Sequence, residues 1–253
     1  MSLKKETFWI NLPFTLGHRG MGKDPIKNYS ENTLKSFEKA FEIGLNYIEC
    51  DIRKSKDNEL LIFHDEDLER TIKNEKGKLK NYTSKEIKFF KTKENNERIP
   101  TLEELLILIK KNENNRLFIE LKENDCHFEL INLIEKYKIE TQINIVSFHF
   151  NFLKEIRKLN STIEIGFLIK NNFIEKDLIV DLKELNISNL GIGWWILNDE
   201  NIENFNKNFK CWVWNPTTKN EILKILNFNK IIGMGSNDPK MTKEVIDEWI
   251  LIN

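Results

Sequence analysis

Apolar residues along this chain fall into two spacings that alternate from one end to the other. Short, nearly continuous apolar runs at 14–16, 46–52, 60–63, 117–121, 143–148, 163–168, 187–193, 211–214 and 231–234 are expected as buried strands. Between them apolar residues recur at helical spacing, as in Leu34, Phe37, Ala40 and Phe41, and again in Leu102, Leu105, Leu106 and Ile109. Ser30 is the expected N-cap of the first of these helices. That choice places Glu31 and Asn32 in its first turn, and Gly44 ends it. Thr83/Glu86, Thr101/Glu104 and Thr218/Glu221 stand at capping-box spacing and start three more helices. Others are expected over 125–137, 151–159, 173–185 and 199–206, with a last one from about Pro239 to the end.

Strands that alternate with helices pair in parallel through right-handed crossovers. The count is near eight such units, in a chain of the usual size for a (β/α)₈ barrel. An open doubly wound sheet is the alternative, but no G-x-G-x-x-G turn follows the first run. The pattern loosens only between about 66 and 98, a highly charged stretch with one short capped helix. It is expected to be a small insertion on a loop of a single barrel domain.

Composition narrows the function classes. A hydrophobic content of 40% supports a sizeable core, and the net charge of −1 offers no field to attract nucleic acid or an anionic membrane. Cys50, Cys126 and Cys211 lie far apart, as reduced thiols of a cytoplasmic protein would. No apolar run approaches a membrane span, and no signal-peptide core is seen. We therefore expect a cytoplasmic protein without nucleic acid partners or stable membrane insertion.

The chemistry gathers where apolar runs end. Residues two apart on a strand share a face, so Glu49 and Asp51 point the same way, as do Glu120 and Lys122. In a barrel these positions fall at the C-terminal ends of strands, where active sites sit. Three converging carboxylates repel one another unless a cation joins them, and an all-oxygen set suits Mg²⁺ or Ca²⁺. Arg19 and Lys122 then tip the net charge positive, matched to a phosphodiester monoanion. His18 and His64 can act as a general base and acid across a phosphate. A lone E-x-D or strand-end histidine is usually structural; the joint placement argues otherwise. His127 is expected on the surface and His149 at a helix start. Trp194, Trp195 and Trp212 are expected in the core, and Trp214 against the substrate pocket.

These residues carry a resemblance to the glycerophosphodiester phosphodiesterase family. The matching pieces are His18-Arg19-Gly20, Glu31-Asn32-Thr33, Glu49-Cys50-Asp51, Asp57, His64-Asp65, Leu68 with Arg70-Thr71, Ile99 to Glu104, Ile119-Glu120-Leu121-Lys122 and Ser147-Phe148. They cover the first 150 residues in the family's order. The later half departs: Asn215-Pro216 follows Trp214 where Thr-Val is usual, Ser236-Asn237-Asp238-Pro239 replaces Thr-Asp-x-Pro, and Ser30 replaces a common proline.

The resemblance implies a (β/α)₈ barrel enzyme that hydrolyses glycerophosphodiesters to sn-glycerol 3-phosphate and an alcohol. It implies one divalent cation on Glu49, Asp51 and Glu120, His18 and His64 as the acid–base pair, and Arg19 and Lys122 on the phosphate, with Trp214 beside the substrate. It leaves open whether the glycerol 2-hydroxyl attacks first, giving a cyclic phosphate, or water attacks directly. A lysophospholipase D-like activity would need an apolar path for an acyl chain. A non-catalytic phosphate-binding barrel would have lost a histidine or carboxylate, and none is lost.

Overall fold

The computed structural model describes residues 8–22, 29–171, 176–228 and 230–252. In chain order the strands are β1 (Phe14–Gly17), β2 (Tyr47–Lys54), β3 (Leu60–Ile62), β4 (Arg116–Leu121), β5 (Ile143–Ser147), β6 (Glu164–Ile169), β7 (Asn189–Gly193), β8 (Lys210–Trp214) and β9 (Ile231–Ser236). Eight of them pair in parallel in the order β1-β9-β8-β7-β6-β5-β4-β2, and a β1–β2 pairing closes the ring. The helices are α1 (Leu34–Glu42), α2 (Ser84–Ile87), α3 (Leu102–Lys110), α4 (His127–Tyr137), α5 (Phe150–Leu159), α6 (Lys176–Glu184), α7 (Asp199–Asn206), α8 (Lys219–Leu226) and α9 (Pro239–Ile252). The start of the helix expected at Phe173 lies outside the described residues. No helix among the described residues is long and apolar enough to cross a membrane.

Period-two alternation divides the core. Ile48, Cys50 and Ile52 of β2 face outward and pack with Leu102, Leu105 and Leu106 of α3. Tyr47 faces the barrel interior and meets Phe14 and Phe118, and Phe118 in turn meets Trp212, so four strands contribute to one cluster. Phe8 and Trp9 complete this aromatic floor. The Tyr47 hydroxyl donates to the Ile10 carbonyl at 2.7 Å and accepts from the Ile10 amide at 2.6 Å, which fastens the N-terminal segment across the barrel's base. Farther along the same strand face the residues become Glu49 and Asp51. One strand thus runs from an apolar floor to a charged mouth.

The stretch 60–63 differs from a barrel strand. β3 pairs antiparallel with β2, outside the ring, because the link between them is a short turn with no room for a crossover helix. Beyond it, Phe63, Leu68, Ile72, Leu79, Ile87, Phe90 and Ile99 form a small apolar cluster with Leu61. The Asp57 carboxylate ties this region to the β2–β3 turn by accepting from the Ser55 hydroxyl at 2.7 Å and the Ser84 amide at 2.7 Å. Thr83/Glu86 and Thr101/Glu104 form the expected capping boxes, and so do Thr218/Glu221.

The start of α1 is a correction. Its N-cap is Thr33, whose side chain accepts from the Ser36 amide, so Glu31 and Asn32 precede the helix. Ser30 instead donates its hydroxyl to Thr92 at 2.9 Å. Asn32 has φ +58°, which a first-turn residue cannot adopt.

The aromatic floor needs glycine opposite it. A Cβ at Gly233 would lie 2.5 Å from the buried Phe14 ring. Gly233→Ala is expected to cost about 1–3 kcal/mol through overpacking. Urea unfolding should show a lower midpoint at unchanged slope. An unchanged midpoint would mean that the ring has room to move.

Candidate active site

β1 ends in Gly17-His18-Arg19-Gly20, and the backbone there turns sharply. Arg19 has φ +54° and Gly20 φ +88°, and a Cβ on Gly20 would meet Ser36 Oγ at 2.4 Å. The turn aims the Arg19 amide at Glu49 Oε2, 2.9 Å away. The Arg19 guanidinium, itself buried, donates to Glu31 Oε1 at 2.8 Å and lies 3.2 Å from Asp51 Oδ2. Asn32, in its left-handed conformation, donates to Asp51 Oδ2 at 2.8 Å.

Glu49, Asp51 and Glu120 each offer an oxygen within 4.8 Å of the others, and all three residues are buried. Asp51 and Glu120 are direct neighbours across the β2–β4 pairing. Lys122 Nζ lies 2.5 Å from Glu120 Oε1 and 3.1 Å from Asp51 Oδ1. Three carboxylates thus meet two cations. Burial and the nearby Asp51 and Glu120 charges push the Glu49 carboxyl well above the usual carboxylate range. Burial raises Glu120 to about 7 against the pull of Lys122, with Asp51 adding to the rise. Burial would raise Asp51 as well, but Lys122 and Arg19 outweigh it and hold that group well below the usual range. Glu49 Oε1 and Asp51 Oδ1 are buried and accept no well-formed hydrogen bond among the described residues.

The two histidines face this cluster. His18 Nδ1 donates to Asn237 Oδ1 at 2.6 Å, and Nε2 lies 3.9 Å from Glu49 Oε2. Burial, with Arg19 adding, pushes its imidazole down to about 3. His64 Nδ1 donates to Asp65 Oδ1 at 2.5 Å, and burial lowers its imidazole too. In both rings the fixed Nδ1–H leaves Nε2 as the free basic nitrogen. His18, Arg19, Glu49, His64, Glu120 and Lys122 line one cavity of about 290 Å³ at the mouth of the barrel, with Trp214 on its wall. Every site residue expected from the sequence is therefore brought together. His64 arrives differently from the rest, after the hairpin strand β3, held in line by the Phe63 amide donating to the Asp51 carbonyl at 2.9 Å.

Residues 18–241 match the family model described as the glycerophosphoryl diester phosphodiesterase family. The chain belongs to that family. A glycerophosphodiester phosphodiesterase of Caldanaerobacter subterraneus subsp. tengcongensis is 34% identical over 63% of this chain and 68% of its own length. One of Bacillus altitudinis is 35% identical over 60% of this chain and 66% of its own length. The chain thus spans about two thirds of each relative. The crystal structure of the glycerophosphodiester phosphodiesterase of Thermotoga maritima superposes with a TM-score of 0.76 at 25% identity, covering 92% of this chain and 97% of that one.

Several residues of this glycerophosphoryl diester phosphodiesterase family site escaped the sequence reading. Arg70 Nη1 and Nη2 grip the Glu31 carboxylate at 2.9 and 2.7 Å, and its Nε donates to Asp65. Arg70 so links the His64 partner to the Arg19 partner. Their presence in the motif pieces was the available signal. Asn237 was visible only as a departure from the family's usual residue. Two expectations are corrected. His127 is buried, 8% exposed, because it lies three, four and seven residues before Leu130, Ile131 and Ile134 and so on the inward stripe of α4. Trp195 is 51% exposed rather than core, since it follows β7 on the open face of the barrel. His149 does stand at a helix start, as the N-cap residue of α5.

Arg70 is partly solvent-facing, so screening trims its contribution. Arg70→Gln is expected to cost about 1–2 kcal/mol of stability. A double-mutant cycle with Glu31→Gln should show coupling of about 0.5 kcal/mol or more. Strictly additive unfolding energies would show that the bridge is passive.

Proposed function

We propose that this chain hydrolyses glycerophosphodiesters to sn-glycerol 3-phosphate and an alcohol. The observation that carries the reading is the clustering of Glu49, Asp51 and Glu120 at a cavity lined by His18, His64, Glu49 and Glu120, in a chain of this family. In this reading the three carboxylates hold one divalent cation, Mg²⁺ or Ca²⁺. Two observations support it: the buried Glu49 Oε1, which accepts no hydrogen bond among the described residues, and the negative charge that Arg19 and Lys122 leave unmatched. An all-oxygen donor set fits a hard cation. When bound, such an ion neutralises the carboxylates and polarises phosphoryl oxygens. A reducing, cytoplasmic setting belongs to the same reading and is supported by three free, buried thiols.

Arg19 and Lys122 hold the phosphate, sharing their donors between it and the carboxylates. Trp214, with Phe148 edge-on at 5.5 Å, walls the carbon skeleton of the substrate. The attacking hydroxyl, of water or of the glycerol itself, gives its proton to one imidazole Nε2. The bond from phosphorus to the departing alcohol breaks as the other imidazole protonates that oxygen. Asn237 and Asp65 keep both rings in the tautomer this needs. The groove beyond Phe148 mixes charged Arg53, Asp65 and Lys170 with apolar Leu168, Ile169 and Leu178, so a charged or polar alcohol suits it better than a bare acyl chain.

Release of glycerol 3-phosphate from a diester is the direct test. Chelation after metal stripping is expected to abolish it and Mg²⁺ or Ca²⁺ to restore it, with Glu120→Gln weakening metal affinity in a fold that still unfolds cooperatively. Full turnover in excess chelator would overturn the metal assignment. For the histidines, His18→Ala or His64→Ala should each lower kcat by about 10²–10⁴-fold. The double variant should be little worse than the weaker single. A p-nitrophenyl diester, whose leaving group needs little acid help, should rescue only the variant that lacks the acid. Near-normal kcat on a natural diester in both singles would make these histidines structural.

A further inference from the structure

The cavity opens outward into a larger groove of about 860 Å³, shared along Phe148, His64, Glu120, Lys122 and Leu168. This is room for more than a glycerol phosphate, and it lies where an alcohol leaving group would extend. Phe148 stands on the wall that groove and cavity share, and on its cavity side Trp214 meets it edge-on at 5.5 Å. Such a wall is what recognises a quaternary ammonium, since ring faces attract cations.

Here that face is already taken by the chain itself. Lys170 Nζ sits over the Phe148 ring, 5.4 Å from its centroid. Lys170 directly follows β6, and the Trp195 indole donates to its carbonyl at 3.2 Å, which fixes the backbone from which the side chain extends. Among the described residues Lys170 makes no ion pair. The groove's other charges differ. Arg53 is paired with Glu123 at 2.8 Å, Lys122 with Glu120 and Asp51, and Arg70 with Glu31 and Asp65. On the facing wall Glu66 is paired with Lys78 at 2.6 Å and Glu69 accepts from the Gly77 amide at 3.0 Å, while Asp67 is exposed to solvent on the insertion.

We propose that Lys170 makes this groove a subsite for an alcohol carrying an anionic group, such as a second phosphodiester, and excludes trialkylammonium alcohols. The inference rests on the hydrolase reading above and names its substrate class. A choline group would have to displace an ammonium from the ring that should bind it, and would then lie beside that ammonium. A phosphodiester in the same place gains a charge-assisted partner that no carboxylate among the described residues pairs with.

The test is kcat/KM of the full chain, with Mg²⁺ and Ca²⁺ in parallel, on three diesters. They are glycerophosphocholine, glycerophosphoglycerol, and the bis-phosphodiester glycerophosphoglycerophosphoglycerol. The second substrate, whose alcohol is uncharged, normalises the other two. The native chain should favour the diester with the anionic alcohol over the one with the cationic alcohol by about tenfold or more, because the ammonium attracts one alcohol and repels the other. Lys170→Gln should remove most of that ratio and Lys170→Arg should keep it. Raising the salt to 0.5 M should shrink the native ratio toward that of Lys170→Gln, since exposed charges are screened. A native preference for choline, or the same ratio in Lys170→Gln, would overturn the inference while leaving the hydrolase reading standing. No glycerol 3-phosphate from any of the three would overturn both.

Discussion

Three carboxylates buried on neighbouring strand ends are the constraint around which the mouth of this barrel is arranged. At their separation of up to 4.8 Å each ionised pair repels by at least about 3 kcal/mol at an effective dielectric of 20. Nothing apolar can offset that, so the surrounding chain supplies positive ends from every side. Arg19 gives both its amide and its guanidinium, Lys122 its ammonium, and Asn32 its side-chain amide. The left-handed turns at Arg19 and Asn32 serve this purpose, since each directs a donor inward that an extended chain would point elsewhere.

The outer charges follow from the inner ones. Arg19 is held by Glu31, Glu31 by Arg70, and Arg70 by Asp65, which in turn fixes His64. Positive and negative groups alternate from the buried cluster to the solvent, so each is bound on two sides. The histidine farthest in sequence from the barrel wall is thereby tied to the same network as the carboxylates. The second histidine is positioned from the opposite end of the chain, by Asn237 just past β9. Closure of the ring, which sets β1 between β2 and β9, is what allows one residue from near each terminus to share a site.

The aromatic floor and the aromatic wall have different tasks although β8 contributes a tryptophan to each. Phe14, Tyr47, Phe118 and Trp212 form one buried cluster, packed against glycine backbone at Gly233 and Gly191. Trp214 stands two residues beyond Trp212 on β8 and so one layer higher, where the barrel opens. There the ring lines a cavity as well as meeting Phe148 and Trp195. The difference is depth in the barrel rather than residue type.

The sequence by itself determined the period of every strand and most helices, and with it which residues share a face. Glu49 with Asp51, and Glu120 with Lys122, were legible because side chains on a strand repeat every two residues regardless of context. Three capping boxes were legible for the same reason: their bonds are local. What tertiary structure alone decided were the choices among several locally acceptable partners. Ser30 could cap a helix, but Thr92 from the insertion claims its hydroxyl and Thr33 becomes the cap. The run at 60–63 could be a barrel strand, but its short link to β2 makes it an antiparallel neighbour. Arg70 and Asn237 acquire their roles only from contacts across 39 and 219 residues. The two long-range roles could not be read along the chain, because the bonds that define them join residues that only the closed barrel brings together.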